Sequence, residues 1–192
     1  MTRKKILILI SGLAASGKST LSKRLASTLR IKYYSGGDAL RRLAISQGFN
    51  PVGKKWWDTE EGMRFLSLRQ QDPMFDKKVD EELKRIAGEG SAVIDSWVLP
   101  WLIDEGFKIW LKTSVEARAR RMQRRDKISF EEAVRIIQER DRKNRDLYFS
   151  LYGLKLGEDL SPFNLVLDTS NLSAEAVYKI VLTAVKQYFR LR

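Results

Sequence analysis

The sequence predicts an α/β fold built on a parallel sheet, and two observations support this prediction. Short apolar runs that are typical of buried strands alternate along the chain with segments of helical period. A chain of 192 residues is also long enough to bury a sizeable core, and it fits a single domain, residues 1–192, with a small inserted lobe. Because strands that alternate with helices form right-handed βαβ units, we expect a parallel sheet covered on both faces.

The predicted elements follow the chain in order. Five apolar runs are predicted to form the strands: Lys5 to Ile10, Ile31 to Tyr34, Ala92 to Asp95, Phe107 to Leu111 and Asn164 to Asp168. Helices are predicted over 75–88, after the dipeptide Asp-Pro, and over 114–125. The region 49–72 mixes aromatic and charged residues and interrupts the alternation, so we expect it to form a small lobe over the sheet.

Composition limits the chemistry that this chain can perform. It has no cysteine and no histidine, which excludes disulfides, thiolate zinc sites and the usual general base. The formal charge of +12 indicates an anionic partner, either a nucleic acid or small phosphorylated molecules. Half of that charge lies in residues 112–145, where twelve Lys and Arg outnumber six Asp and Glu. No apolar run approaches the roughly 20 residues that span a bilayer, so we expect a soluble, cytoplasmic protein without a membrane partner.

A glycine-rich stretch, SGLAASGKST, directly follows the first predicted strand and satisfies the pattern G-x-x-x-x-G-K-[ST]. Glycines let the backbone N–H groups turn inward, and the following helix adds its positive N-terminal end, so this loop is suited to hold phosphate. We predict that Lys18 reaches the β- and γ-phosphates of a nucleotide and that the Ser19 hydroxyl ligates Mg²⁺. The residues predicted to bind the nucleotide are Gly12, Ala14, Ala15, Ser16, Gly17, Lys18, Ser19 and Thr20. The alternative is a glycine turn without a ligand.

Asp95 ends the third predicted strand, at the carboxyl edge of the sheet, where ligands bind in such folds. It is therefore a second candidate for holding Mg²⁺, through water. The alternative is that Asp95 caps a helix or stabilises a turn.

Arginines dominate the helix predicted over 114–125. On a helical wheel, three of them fall on one flank of a narrow apolar stripe and are candidates to line a site: Arg118, Arg121 and Arg125. Arg120 and Arg124 point roughly opposite, toward solvent. The alternative is that all five form a solvated basic face.

Beyond the glycine-rich loop, which we call the cradle, several stretches resemble the cytidylate kinases, particularly the archaeal type, within the P-loop nucleoside monophosphate kinases. These stretches cover nearly the whole chain: YYSGGDALRRLA, DPMFDKKVDEELKRIA, IWLKTSVEARARRMQRRD, QERDRKNRDLYFSLYG and LVLDTSNLSAEAV. Ser35, Asp38 and Arg41 match the Ser-x-Gly-Asp-x-x-Arg segment that opens the acceptor site, in which the arginine grips the monophosphate. The fourth stretch matches through Arg140, Tyr148, Tyr152 and Gly153.

The resemblance implies the three-layer P-loop NTPase fold, with five parallel strands, an acceptor-binding lobe at about 36–90 and an arginine lid at about 121–158. The implied reaction transfers the γ-phosphoryl group of ATP to a nucleoside monophosphate, CMP or dCMP. Phosphoryl transfer needs positioned cations, which here would be Lys18, Mg²⁺, Arg121, Arg125 and Arg140, while the lid closes to exclude water. We expect a monomer with a small-molecule phosphate acceptor and no nucleic acid, although the basic charge leaves RNA binding open.

The sequence departs from the family after the third-strand acid, where the family normally has Gly-Arg and this chain has Ser96 and Trp97. That arginine also holds the acceptor's phosphate, so Trp97 becomes a candidate substrate-binding residue. A charged hydrogen bond is worth about 1.5–3 kcal/mol, so its loss would weaken acceptor binding roughly 10- to 150-fold. Candidates to restore the charge lie in the predicted lobe: Lys54, Lys55, Arg64 and Arg69. Alternatively, Trp97 and Trp101 form an aromatic wall for a different acceptor, or simply pack under the lobe.

A second departure lies in the predicted lid. The arginine pair that the family shows near 146 and 147 is replaced by Asp146 and Leu147, and Arg142 and Arg145 are nearby candidates to compensate. Two other functions therefore stay open. One is a kinase of the same fold for another small acceptor, and the other is an ATP-binding, RNA-associated assembly factor.

Overall fold

The computed structural model describes residues 5–53 and 56–191 and confirms the α/β fold. The strands are β1 (Leu7–Gly12), β2 (Lys32–Ser35), β3 (Ala92–Asp95), β4 (Phe107–Lys112) and β5 (Leu165–Asp168). The helices are α1 (Lys18–Leu29), α2 (Gly36–Ser46), α3 (Glu60–Gln71), α4 (Met74–Glu89), α5 (Leu99–Leu102), α6 (Val115–Asp126), α7 (Phe130–Tyr152) and α8 (Ala174–Phe189). No helix in these described ranges is long and apolar enough to cross a membrane.

The five strands form one parallel sheet in the order β2-β3-β1-β4-β5, and each lies where the sequence predicts a strand. β1 extends two residues beyond its predicted end, because its pairing with β4 continues to Gly12, opposite Leu111. On the other side of β1, Ile10 pairs with Asp95, which in turn pairs with Ser35 on β2. The order therefore brings the phosphate-loop candidate and Asp95 to adjacent positions at one edge.

Both faces of the sheet are covered, as the apolar character of β1 requires. Alternate side chains of β1 enter different cores: Ile8 and Ile10 pack with α1 and α8, whereas Leu7 and Leu9 pack with α2, α3 and α4. All four are buried. Because β1 is central and buried on both faces, the loop that follows it has a rigid base.

The segment between β2 and β3 contains α2, a short 3₁₀ helix at Trp56–Asp58, α3 and α4. The sequence predicts no helix in 49–72, where the structure places α3. The helical pattern of apolar residues is hidden in this part of the sequence because one buried position of α3 holds Arg69 instead of an apolar residue. The Thr59 hydroxyl starts the helix by accepting the Gly62 N–H, at 3.2 Å, and Phe65 anchors it beneath Trp56. Lys54 and Lys55 lie outside the described residues.

Helices α6 and α7 form a pair between β4 and β5, joined by a short turn. The predicted helix at 114–125 corresponds to α6, whose Ala119 and Met122 pack against Ala133 and Ile137 of α7. Ser129 caps α7 by accepting the Glu132 N–H, at 3.0 Å. We refer to these two helices as the α6–α7 pair.

A buried polar network ties the end of α7 to α3 and α4. Arg69 donates two hydrogen bonds to Asp76, from Nε at 2.9 Å and from Nη2 at 2.6 Å. One turn apart on α7, the Tyr148 hydroxyl donates to Asp76 at 3.0 Å and the Tyr152 hydroxyl donates to Asp80 at 2.9 Å. Burial raises the pKa of Asp80 to about 7.

The network predicts a specific pH dependence of stability. In the unfolded chain Asp80 titrates near 3.8, so between about pH 4 and 7 the folded protein binds one more proton than the unfolded chain. The free energy of unfolding therefore falls as pH rises through this range, by at most about 1.4 kcal/mol per pH unit from this group. Asp80→Asn should flatten that slope in urea unfolding curves measured across the range.

The matched control is Asp146→Asn, because Asp146 is an exposed carboxylate on α7. Its pH slope should equal that of the unmodified protein. Parallel slopes for the unmodified protein and Asp80→Asn would contradict the assignment of a proton to Asp80.

Candidate active site

The loop after β1 folds as a phosphate cradle, and its geometry requires glycine at two positions. Gly12 has φ +152°, and a Cβ there would lie 2.7 Å from the Leu111 carbonyl oxygen and 2.9 Å from Ser16 Oγ. Gly17, with φ +96°, is the N-cap of α1. These conformations are rarely adopted by residues with a side chain. The loop thereby wraps over the N-terminus of α1, as the sequence predicts.

Lys18 closes the cradle. Its Nζ donates to the carbonyl oxygens of Gly12, at 2.7 Å, and Leu13, at 3.1 Å. The same ammonium lies 4.8 Å from the centre of the Trp97 ring. Burial lowers the pKa of Lys18 to about 8, partly opposed by the charge of Asp95. The amine is therefore held at the mouth of the loop by weak acceptors that a phosphate oxygen could replace.

Ser16 provides a test of whether the cradle fits phosphate. Its side chain is buried, and Ser16 Oγ has no hydrogen-bond partner within residues 5–53 and 56–191. An unsatisfied buried hydroxyl costs about 1–3 kcal/mol, which a ligand oxygen would recover. The cradle residues therefore fit a phosphate ligand.

Ser19 and Asp95 form the candidate metal site. The Ser19 hydroxyl donates to Asp95 Oδ2 at 2.5 Å, joining the start of α1 to the end of β3. Asp95 is buried, and desolvation raises the pKa of its carboxyl group. A hydroxyl and a carboxylate are hard oxygen ligands, so this pair fits Mg²⁺. The turn that follows β3 is stabilised by Ser96, whose hydroxyl accepts from the N–H groups of Val98 and Leu99.

Trp97 reaches the cradle, whereas Trp101 serves packing. The Trp97 carbonyl accepts from Ser11 Oγ at 2.6 Å, and its half-buried ring stacks on Tyr148 with centroids 6.3 Å apart. Trp101 instead meets Trp110 and Phe163 edge-on, and its indole N–H donates to the Asp159 carbonyl oxygen. The ring of Trp97 therefore lies between Lys18 and the end of α7.

Ser35, Asp38 and Arg41 lie where β2 passes into α2. Ser35 caps α2 by accepting the Asp38 N–H at 3.3 Å, and Asp38 is exposed in the first turn. Arg41 donates from Nη2 to the Gly53 carbonyl oxygen at 2.6 Å, and its buried Nε has no partner in the described part of the chain. Because Ser35 pairs in register with Asp95, these residues share an edge with the cradle.

Arg118 does not join a solvated basic face. It is 2% exposed, pairs with Asp141 of α7 at 2.7 Å and donates to the Ala14 carbonyl oxygen at 3.2 Å. This buried ion pair fastens the α6–α7 pair to the cradle. The wheel places Arg118 on the site flank correctly, but its partner on another helix has no local sequence signal.

Arg121 also holds the cradle. Its Nη1 donates to the Ser16 carbonyl oxygen at 3.1 Å, and its Nη2 donates to the Thr169 carbonyl oxygen at 2.5 Å. Thr169 directly follows β5, which is an edge strand of the sheet, so Arg121 links the loop after β1 to the end of that edge strand. Arg120 and Arg124 are exposed, as the wheel predicts.

Arg125 and Arg140 converge on one carboxylate that the sequence analysis missed. Arg125 Nη2 donates to Asp58 Oδ2 at 2.5 Å, and Arg140 Nη1 donates to Asp58 Oδ1. Arg125 also donates to Asp126 from Nε at 2.7 Å and from Nη2 at 2.6 Å. The Asp58 side chain is 6% exposed. In the sequence, Asp58 is marked only by its position directly after two tryptophans, and it lies 82 residues before its partner Arg140.

Of the candidates to replace the missing arginine, the structure describes Arg64 and Arg69, and no hydrogen bond or ring contact joins either of these two to Trp97. Arg69 is 3% exposed and bound to Asp76, whereas Arg64 is exposed. Lys54 and Lys55 are among the residues that the structure does not describe.

The second departure, in α7, is resolved in a similar way. Arg142 pairs with Asp146 at 3.4 Å on the exposed side of the helix, and Arg145 is exposed. Leu147 is buried. Neither arginine lies with the buried residues that face the cradle, so the structure does not bring them into the site.

Comparisons with known proteins agree with this geometry. The profile of the cytidylate kinase-like family matches residues 7–171. A cytidylate kinase of Pyrococcus horikoshii is 36% identical over 186 residues, covering 96% of this chain and 91% of that protein. One from Pyrococcus abyssi is 34% identical over 190 residues, covering 98% of each. Among solved structures, a shikimate kinase from Acinetobacter baumannii superposes with a TM-score of 0.58 at 16% identity, over 96% of this chain and 95% of that one.

The structural likeness shows the fold alone, whereas the sequence relatives span nearly the full chain. A cradle that requires its glycines, a buried acid beside Ser19 and a sheet with arginine-bearing helices at its edge all accord with a phosphotransferase that uses ATP as phosphate donor. With a family profile that covers most of the sequence, the chain belongs to the cytidylate kinase-like family.

Proposed function

We propose that this protein transfers the γ-phosphoryl group of ATP to a nucleoside monophosphate, with CMP and dCMP as its preferred acceptors. The observation that carries the proposal is the convergence of Lys18, Asp95 and Arg140 at the carboxyl edge of the sheet. Ser19, the residue after Lys18, donates to Asp95. Arg140 precedes Asp141, whose ion pair with Arg118 holds α7 against the cradle. Donor-side and lid-side groups therefore meet where a phosphoryl group would pass.

The donor phosphates would bind along the cradle. The Ser16 hydroxyl and backbone N–H groups of the loop would bind the triphosphate, and Lys18 would exchange its two carbonyl partners for phosphate oxygens. Ser19 and Asp95 would hold Mg²⁺, which supplies charge neutralisation between the phosphates when bound.

The protein's contribution to the reaction is mainly positioning and electrostatic stabilisation. Arg125 and Arg140 would neutralise charge on the transferring group from the lid side. Arg121 adds its charge beside the cradle while its N–H groups hold the Ser16 carbonyl. We propose that residues 36–90 form the acceptor lobe and 121–158 the lid, and that their closure excludes water.

The acceptor would enter between β2, α2 and Trp97. Arg41 presents a buried Nε without a partner among the described residues, which is a donor for the acceptor's phosphate. Ser35 and Asp38 offer oxygen acceptors for hydroxyl or amino groups on the rest of the nucleotide.

A second candidate function is phosphorylation of a different small acceptor. It is favoured by Trp97, which places an uncharged ring 4.8 Å from Lys18 where the family has a guanidinium group. That substitution removes a phosphate contact and adds an aromatic surface.

An acceptor panel separates the two candidates. We expect kcat/KM in a coupled ADP-release assay to be highest for CMP and dCMP among CMP, dCMP, UMP, AMP and dTMP. Turnover at background with every pyrimidine monophosphate would contradict the proposed acceptor.

Removing the Lys18 amine tests the donor site. Lys18→Ala should lower kcat at least about 100-fold, because the transition state loses a preorganised cation. Lys179→Ala removes an exposed amine on α8 and serves as the control for the change in net charge. Equal activity of the two variants would show that the cradle is not the donor site.

Restoring the family's charge tests the role of residue 97. Trp97→Arg should lower the KM for CMP about tenfold or more, since a charged hydrogen bond to phosphate is worth about 1.5–3 kcal/mol. Trp97→Phe measures the cost of losing the indole without adding charge. A KM for Trp97→Arg no lower than that for Trp97→Phe would place the acceptor's anionic group elsewhere.

A further inference from the structure

Asp58 occupies an unusual position for a lobe residue. It lies in the 3₁₀ helix Trp56–Asp58, yet its two carboxylate oxygens bind arginines from two different helices, Arg125 on α6 and Arg140 on α7. The contact therefore joins three separate segments of the chain. It bridges the region between β2 and β3 to the α6–α7 pair.

The chemistry of this contact imitates phosphate binding. Two guanidinium groups that face one another repel, and an anion between them removes that repulsion. A carboxylate presents two oxygens to N–H donors much as a phosphate does, and arginine binds both kinds of group. The Arg140 side chain is only 14% exposed, so its charge needs such a partner while no substrate is bound.

The contact differs from the buried ion pair between Arg69 and Asp76. Arg69 and Asp76 are 3% and 2% exposed, and both belong to the segment between β2 and β3, so their pairing survives any movement of that segment. At Asp58, the Arg125 side chain is 39% exposed, and the partners belong to different segments: Asp58 lies between β2 and β3, and the two arginines lie on the α6–α7 pair. If Asp58 moves away, Arg125 retains its hydrogen bonds to Asp126, whereas Arg140 loses its hydrogen bond to Asp58.

We propose that Asp58 is an internal substitute for phosphate that holds Arg125 and Arg140 until a substrate phosphate displaces it. This inference rests on the proposed function, because the same two arginines are assigned there to the transferring group. While Asp58 is bound, both arginines are unavailable to the γ-phosphate, so transfer to water is slow. Movement of the lobe around an acceptor withdraws Asp58 and releases the arginines. Asp58 thus couples acceptor binding to completion of the catalytic site.

The first test needs neither turnover nor an acceptor. Inorganic tripolyphosphate is titrated into the protein, and binding is followed by intrinsic tryptophan fluorescence, to which Trp97 beside Lys18 and Trp56 and Trp57 next to Asp58 contribute. Asp58→Asn removes the competing charge with little change in shape, and its Kd for tripolyphosphate should be about tenfold lower than that of the unmodified protein. An unchanged or higher Kd would overturn the proposal.

The second test measures ATP hydrolysis without an acceptor. Asp58→Asn should raise the rate about tenfold, because the arginines are released early. A lower rate would identify Asp58 as a fixed support for the arginines, and an unchanged rate would show that the contact does not restrain them. Either result overturns the proposal.

Asp146→Asn is the matched control, since it removes the carboxylate partner of Arg142 from the exposed side of α7 and changes the net charge equally. Both of its values should stay within about twofold of the unmodified protein. Thermal unfolding checks that each variant is folded, and Asp58→Ser replaces Asp58→Asn if the latter is not. If Asp58→Asn binds tripolyphosphate more tightly but the protein phosphorylates no acceptor, the proposed function is wrong while the role of Asp58 as a substitute for phosphate stands.

Discussion

Clustered positive charge at the carboxyl edge of the sheet is the constraint on which the rest of the structure depends. The parallel strand order brings the cradle to this edge, and the α6–α7 pair adds four arginines: Arg118, Arg121, Arg125 and Arg140. In a chain with a formal charge of +12, the repulsion within such a cluster is reduced by carboxylates of the chain itself. These carboxylates belong to different elements, and the pairings determine how the segment between β2 and β3, the α6–α7 pair and the cradle meet.

The internal carboxylates fall into two groups that serve different purposes. Asp141 is buried against Arg118, which also donates to the Ala14 carbonyl oxygen, so this pair fixes the α6–α7 pair to the cradle. Buried ion pairs add little net stability, but losing one partner typically costs several kcal/mol, so the pair is better understood as fixing an arrangement. Asp95 and Asp58 instead face groups that phosphate or Mg²⁺ would engage. Asp141 fixes the arrangement of the site, whereas Asp95 and Asp58 contact its cationic and metal-binding groups when phosphate and Mg²⁺ are not bound.

The local parts of this arrangement could be predicted from the sequence. Apolar runs locate all five strands, and Gly12 and Gly17 identify the cradle because its geometry excludes side chains there. The helical wheel also separates Arg118 from Arg120 correctly. Long-range pairing could not be predicted in this way. Nothing near Arg118 in the chain selects Asp141.

The same limit explains the residues that the sequence analysis misjudged. Arg69 was a candidate to grip the acceptor, but it is buried with Asp76 because α3, unassigned from the sequence, turns it inward. Asp58 was missed because its role arises only when α6 and α7 fold over the lobe. A sequence motif indicates which groups can bind phosphate. The tertiary structure determines which other groups they contact when no phosphate is bound.

A double-mutant cycle on Asp58 and Arg140 tests the central claim, that carboxylates stand in for phosphate in the free protein, most directly. Unfolding free energies of the unmodified protein, Asp58→Asn, Arg140→Gln and the double variant give the coupling between the two side chains. The cycle is measured without ligand and with a saturating non-hydrolysable ATP analogue, Mg²⁺ and CMP together. The account predicts a favourable coupling of about 1 kcal/mol or more in the free protein that disappears when the analogue and the acceptor are both bound. An equal coupling in both conditions would contradict it.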